Sequence, residues 1–478
     1  MAVTDRLSNE FFGGLTIVAD VKSDGDPSGI DPAHAFGLRW EGFAIDRLPG
    51  GTLTSVKGVR AGAASAGLKR SGKPDVALIS VPKPTPAAAV FTTNKAAAAP
   101  VVISARSISE RPLASGIVAN SGCANALTGD RGIEAAISMQ ESAARVLGVS
   151  PSDVLVASTG LIGTELPVEK VRAAIESVKL SEGAEAGHLA ARAIMTTDTV
   201  PKETAVEVSD GTRRVRVGGI AKGAAMLAPS MATMLAFLAT DAACDARVVA
   251  GVLRSAVAAT FNRLSVDACQ STNDTVVLLT TEKSELAVGE DASGYASDVF
   301  ASLLAGVPSG KKTDVADATE GAEGQRNLGL LAVGVHLVCA ELAMAMARDA
   351  EGSNKVAVVK VLGAASPADA EAAARAIASS SLVRCSLFGS DPYWGRIVAE
   401  AGSAVRSFDA RSVSVSYGPY RVCVGGVATS EWSSAGLARY MERPEIEIVC
   451  DLGVGPFGAL RVMTALGTGY VEENMKTS

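Results

Sequence analysis

Large rings are scarce in this chain: aromatic residues make up 4% of its 478 residues. A core of that composition is built mainly from Ala, Val, Leu and Ile, which favours helices packed closely on sheets over a ligand cage of rings. Histidine is scarcer still. His34, His188 and His336 stand far apart, which excludes a His-rich metal site and leaves a Ser-His-Asp triad few bases. The seven cysteines (Cys123, Cys244, Cys269, Cys339, Cys385, Cys423, Cys450) are odd in number and contain no CxxC pair. Neither a zinc site nor a disulfide framework is expected, and a reducing compartment fits, with the cytoplasm the expected location (plastid or mitochondrial matrix if the source is eukaryotic). Dense positive charge is also missing. Lys and Arg number 44 against 51 Asp and Glu, a net charge of −7, and the scattered basic residues argue against nucleic acid or an anionic membrane as partner. The first fifty residues show no signal-peptide pattern and are too acidic for an ordinary transit peptide.

What is present is apolar and long. Hydrophobic residues reach 48% and charged ones 20%, the balance of a globular protein, and the length makes two domains the natural expectation. The most apolar stretch, Leu328 to Ala347, contains His336 and Glu341 and reads as a buried core helix rather than a membrane span. Residues 24–50 are rich in Gly, Pro and Asp and read as a loose extension. Short β-like runs follow at Val76 to Val81, Ala88 to Thr92 and Pro100 to Ser104. Helices are expected over Ile133 to Leu147, Val168 to Lys179, Asp245 to Phe261 and Pro367 to Ser379, the last with Ser366 as N-cap. Strands are expected at Asp153 to Ser158, Arg213 to Val217, Thr275 to Thr281 and Pro444 to Leu452. Pro308 to Gln325 reads as a polar surface insertion. The mixture indicates an α/β (α+β) fold with two large β-sheets sandwiched between helices.

Several motifs mislead. Gly453 to Gly458 fits GxGxxG after a strand, but the chain has no room beyond it for the rest of a dinucleotide unit, so it reads as a turn. Gly67 to Lys73 begins like a phosphate-binding loop, but Pro74 stands where a hydroxyl should bind magnesium. No GxSxG elbow occurs.

An enzyme without a convenient histidine can still activate a hydroxyl nucleophile if the base is the same residue's α-amine. That amine titrates at about 7.7–8.0, and it sits beside its hydroxyl without help from a second side chain. Exposing it inside a chain requires a peptide bond to break. The stretch Ala221-Lys-Gly-Ala-Ala-Met-Leu-Ala-Pro-Ser-Met-Ala-Thr-Met-Leu235 offers such a place at Ala232 and Thr233. On these residues alone, a buried strand containing a threonine is the simpler reading.

This stretch resembles the cleavage motif of the ornithine acetyltransferase (glutamate N-acetyltransferase) family, roughly KGxGMIxPxMATML. The resemblance runs from about Pro49 to the C-terminus through Lys57-Gly-Val-Arg-Ala-Gly62, Phe91-Thr-Thr-Asn94, Asn120-Ser-Gly-Cys-Ala-Asn125 and Ser158-Thr-Gly-Leu-Ile-Gly163. It continues through Met195-Thr-Thr-Asp-Thr199, Ser271-Thr-Asn-Asp-Thr275, Asp349-Ala-Glu-Gly352 and Asp391-Pro-Tyr-Trp-Gly-Arg396. It implies a self-cleaved N-terminal-nucleophile enzyme. Residues 51–232 would form one fragment and 233–478 the other, with a C-terminal subdomain from about 356 and residues 1–50 as an extension.

The resemblance implies that Thr233 is the nucleophile, freed by a cut after Ala232, and that Thr159 and Gly160 form the oxyanion hole. Thr196, Lys222, Glu351 and Asn474 would contact substrate together with Thr233. The implied reaction carries an acetyl group from N-acetylornithine to glutamate in ping-pong fashion. No metal or organic cofactor is implied, acetyl-CoA stays open as a further donor, and the fragments assemble as α2β2. A related amidohydrolase or aminopeptidase, or an inactive paralogue, are the alternatives. Two loops depart from the family pattern: Ala268 and Ala350 replace glycines, which strains the chain only where φ is positive. The tail also differs, leaving Thr477 or Ser478 to stand in for a terminal threonine.

Overall fold

The strand Leu235–Thr240 shows how the molecule is layered. Each of its residues is buried. Leu235, Phe237 and Ala239 pack with the helix Ala184–Ile194, while Ala236 and Leu238 face the helices Ala246–Ala259 and Thr319–Arg348. A strand with apolar residues on both faces belongs inside a sheet covered on both sides. The computed structural model describes residues 29–38, 40, 42–226, 234–289, 319–430 and 434–476.

The first sheet has nine strands. Its order is Ala44–Arg47, Lys202–Ser209, Arg214–Lys222, Leu235–Thr240, Thr275–Thr280, Val76–Phe91, Leu113–Cys123 and Val154–Leu161, with Arg60–Ala64 paired on Val76–Phe91. A second, seven-stranded sheet runs Leu264–Ser265, Phe457–Thr464, Val356–Ala364, Glu445–Asp451, Ser414–Tyr417, Tyr420–Val424 and Val427–Ala428. Val356, Val358, Leu460 and Val462 join the core around the helices Ala246–Ala259 and Thr319–Arg348. Ala357, Val359, Val361 and Met463 face the helices Pro367–Ser379, Ser381–Phe388 and Trp394–Ala404 instead. The expected mixed α/β fold with two large sheets sandwiched between helices matches the structure.

The apolar helix is a core element. Glu323–Arg348 is long and apolar enough to cross a membrane, yet 83% of its most apolar window is buried inside the protein. Each fully buried Val or Leu there contributes roughly 1.5–3 kcal/mol, more than enough to account for the helix without a bilayer.

Three local expectations are corrected. Pro100 to Ser104 lies in the helix Ala99–Glu110. Its β-branched run suggests a strand, but Pro100 suits the first turn of a helix. Ile103 packs with Ala99 and Ala136, and the Ser104 hydroxyl exchanges hydrogen bonds with the backbone of Val156 at 2.7 Å, so tertiary contacts override propensity. The described residues of the 24–50 stretch are not a loose extension: Ala44–Arg47 pairs antiparallel with the first sheet, and Ala35, Phe36 and Leu38 are buried in its core. These pieces are too short for a periodicity to show. The described part of Pro308 to Gln325, from Thr319 onward, is the first turns of the long helix, and 308–318 lies outside the described residues.

Candidate active site

Strand ends gather the candidate residues. Arg214–Lys222 runs antiparallel to Leu235–Thr240 with Lys222 opposite Leu235, and Thr275 begins the next strand, parallel and also opposite Leu235. Lys222 therefore ends its strand where the adjacent strand Leu235–Thr240 and, beyond it, the strand starting at Thr275 begin. The strand Val154–Leu161 brings its last residues to the same place: the Lys222 ammonium lies 3.3 Å from the Thr159 hydroxyl. Asn273 ties the two regions together, its amide donating to the carbonyls of Ser158 (2.8 Å) and Ala124 (2.6 Å).

Gly160 follows Thr159 at φ +131°, a region closed to side chains. A Cβ there would lie 2.3 Å from the backbone carbonyl carbon of Gly122 on the neighbouring strand. The pairing slips by one residue at Gly122 and Cys123. Such a bulge re-aims backbone groups at a sheet edge.

Lys222 is buried, and burial pushes its pKa down, opposed chiefly by the carboxylate of Asp198. Burial would raise Asp198, but the Lys222 and Lys202 ammoniums and the Gly223 N–H hold it down at about 2. Asp274 is also buried, and its Oδ1 accepts the N–H of Met234 at 2.9 Å. Burial raises its pKa well above the ordinary carboxylate range, against the pull of that N–H, the Ser271 hydroxyl and Lys222.

Glu351 enters from the end of the long helix. Its N–H donates to Ala224 O at 2.9 Å, two residues past Lys222, which fixes this carboxyl to the segment that carries the lysine. The Asn474 amide donates to Glu351 Oε2 at 3.3 Å. Gly352 (φ +61°) packs so closely on the Thr468–Lys476 helix that a Cβ would lie 2.1 Å from Gly469 C, which pins Asn474 beside Glu351. Burial raises the Glu351 carboxyl, with the Asp267 carboxylate adding and the Thr197 hydroxyl and Lys222 opposing. Thr196 reaches the site through its backbone, its N–H donating to Asp198 Oδ2 at 2.9 Å.

The structure thus brings together Thr159, Gly160, Lys222, Glu351 and Asn474, and links Thr196 to them through Asp198. Ala232 and Thr233 lie outside the described residues, as do Thr477 and Ser478. The described residues on either side of the first pair are anchored at the site, Met226 by its N–H to Asp267 and Met234 by its N–H to Asp274. The sequence by itself assigns no role to Asp198, Lys202, Asp267, Asp274 or Tyr470, whose hydroxyl donates to Asp267 at 3.2 Å. Asp198 and Asp274 do stand inside the family-like motifs Met195–Thr199 and Ser271–Thr275.

The two departures from glycine differ. Ala268 has φ +59°, whereas Ala350 is not among the described residues with positive φ. A left-handed alanine costs roughly 1–2 kcal/mol, partly offset in a glycine by its looser unfolded chain. Ala268→Gly is therefore expected to stabilise the protein by about 0.5–1 kcal/mol, read as a higher thermal midpoint. A lower midpoint contradicts the strain.

The ArgJ family profile matches residues 60–477. The arginine biosynthesis bifunctional protein ArgJ of Gloeobacter violaceus is 38% identical over 425 residues, covering 89% of this chain and 97% of that protein. The protein of the same description from Dehalococcoides mccartyi is 37% identical over 433 residues, covering 90% of this chain and 98% of its own length. A crystal structure of ornithine acetyltransferase complexed with ornithine, from Mycobacterium tuberculosis, is 36% identical, covers 39% of this chain and 99% of that chain, and has a TM-score of 0.36.

Proposed function

The chain belongs to the ArgJ family, and from that premise we propose that it carries an acetyl group from N-acetylornithine to glutamate through Thr233. The observation that best supports this reading is Lys222. It is a buried ammonium whose one hydrogen-bond partner among the described residues is the Thr159 hydroxyl, at 3.3 Å. An ammonium has three N–H donors, and a buried cation so sparsely paired suits an anionic substrate group such as an amino-acid carboxylate.

Self-cleavage comes first. The Thr233 hydroxyl attacks the Ala232 carbonyl, the C–N bond breaks as an ester forms and frees the Thr233 amine, and water hydrolyses the ester to leave the Ala232 carboxylate and the free Thr233 hydroxyl. In acetyl transfer the amine takes the hydroxyl proton as the oxygen attacks the acetyl carbonyl. The developing oxyanion is met by the Thr159 hydroxyl and the Gly160 N–H, donors worth roughly 3–4 kcal/mol each when well placed. The C–N bond breaks, the proton passes to the leaving amine, and ornithine departs. Glutamate then attacks acetyl-Thr233 by the reverse sequence. Lys222 holds the carboxylate shared by both substrates, while Glu351 and Asn474 face the amino end and Thr196 lies alongside. The scheme needs no metal or organic cofactor, and acetyl-CoA offered in place of N-acetylornithine tests for a further donor. The two fragments pair as α2β2.

Ornithine and N-acetylglutamate appearing together, each dependent on the other substrate, is the expected result of incubating the enzyme with N-acetylornithine and glutamate. Acetate released at the same rate without glutamate overturns the transferase reading in favour of a hydrolase. Lys222→Met is expected to lower kcat/KM by on the order of 100-fold, about 3 kcal/mol for leaving the substrate carboxylate buried and unpaired. A loss below tenfold removes Lys222 from the substrate contact.

A further inference from the structure

On the strand next to that of Lys222, opposite Ala221, lies a second buried cation. The Lys202 side chain has no solvent exposure, and its ammonium sits 2.6 Å from Asp198 Oδ1 and 2.5 Å from Asp349 Oδ2. Asp198 Oδ1 also accepts the Gly223 N–H at 2.7 Å, next to Lys222, and its Oδ2 accepts the N–H of Thr196. Asp349 accepts the N–H of Thr199 at 2.9 Å and that residue's hydroxyl, two positions before Glu351. One ammonium and two carboxylates therefore join the three stretches that carry Thr196, Lys222 and Glu351. Burying such a cluster is poor value for stability alone, since each ion loses several kcal/mol of hydration and apolar residues would fold as well.

We propose that Asp198 and Lys202 are positioning residues for the substrate carboxylate, acting through Lys222 as a coupled pair of opposite charge. Asp198 keeps Lys222 charged and seated, and Lys202 sets how much of that attraction Lys222 receives. This rests on the reading of Lys222 as the carboxylate holder.

The charged groups acting on Lys222 come from every side. They are Asp198 and Lys202 on one segment, Asp274 ahead of the strand Thr275–Thr280, Glu351 after the long helix, and Lys69, which feels Lys222 in turn. Asp198 stabilises the ammonium most strongly, and Lys202 opposes it. Removing Asp198's charge makes Lys222 lose its proton at lower pH. Removing Lys202's charge lets Lys222 keep its proton to higher pH. A merely structural cluster has no reason to produce opposite shifts.

The test is the pH profile of kcat/KM for N-acetylornithine, which reports the free enzyme and the free donor. The Thr233 amine gives the acid limb and Lys222 an alkaline limb; the donor's own side-chain amine titrates alike in every protein compared. Asp198→Asn is expected to move the alkaline limb down by about one pH unit, and Lys202→Met to move it up by a similar amount. Asp349→Asn, a milder change, leaves Lys202 less neutralised and is expected to move the limb down, which keeps the test open if either first variant fails to fold. An unmoved limb, or one displaced the same way by Asp198→Asn and Lys202→Met, overturns the inference while leaving acetyl transfer intact. A wild-type enzyme that transfers no acetyl group from N-acetylornithine overturns the underlying reading, and the inference with it.

Discussion

Thr233→Ala is expected to leave the chain uncut at its full 478 residues and to abolish acetyl transfer. In the proposed scheme alanine removes the hydroxyl that would attack Ala232, so the ester would not form and no new N-terminus would appear. The same change removes the proposed acetyl acceptor, and the α-amine proposed as its base stays locked in a peptide bond. Loss of a nucleophile of this kind costs on the order of 10⁶ in kcat. Thr233→Ser keeps both hydroxyl and future amine, and is expected to cleave and turn over, more slowly because the missing methyl leaves the oxygen freer to rotate. Gel mobility and transfer rates measured on the two variants separate these outcomes. An uncut but fully active Thr233→Ala protein contradicts the assignment.

Gly160→Ala is expected to have the second-largest effect, and for a different reason. The added methyl meets the Gly122 carbonyl carbon at 2.3 Å in a conformation, φ +131°, that alanine avoids. The Gly122 carbonyl and the Cys123 nitrogen beside it cannot yield by a side-chain rotation, because they are backbone. The strand end must move, taking with it the N–H proposed to meet the oxyanion. Loss of one such donor lowers kcat by about 10²–10³. The proposed self-cleavage would pass through the same tetrahedral geometry, so the variant is also expected to mature slowly. Wild-type rates of cleavage and transfer in Gly160→Ala exclude that N–H from the oxyanion hole.

How much of this could be read from the residues alone depends on the range of the forces involved. The helix Pro367–Ser379 is legible because its start signal is local: Ser366 caps it through a 3.1 Å bond from Asp369 N. The long helix is legible from its apolar run. The helix at Ala99–Glu110 is not, because its β-branched residues point to a strand and only contacts with Val156 and Ala136, distant in sequence, decide otherwise. The site divides in the same way. Scarcity of histidine makes an α-amine base plausible, and the motif resemblance singles out Thr233, Thr159 and Lys222. Lys202 stays invisible there, since an isolated lysine in a polar stretch looks like a solvated one until the fold closes two carboxylates around it. The strain at Ala268 is similar: the substitution is plain in the sequence, but its consequence depends on a φ of +59° that only the folded backbone reveals.

Denaturing mass spectrometry of the purified wild-type protein, before and after mixing with N-acetylornithine alone, tests the central claim most directly. Two fragments are expected, meeting at Ala232 and Thr233 and together making up the 48.4 kDa chain. After mixing, only the fragment beginning with Thr233 is expected to gain the mass of one acetyl group, and to lose it again when glutamate is added. A single full-length species, or an acetyl group on the other fragment, contradicts that claim.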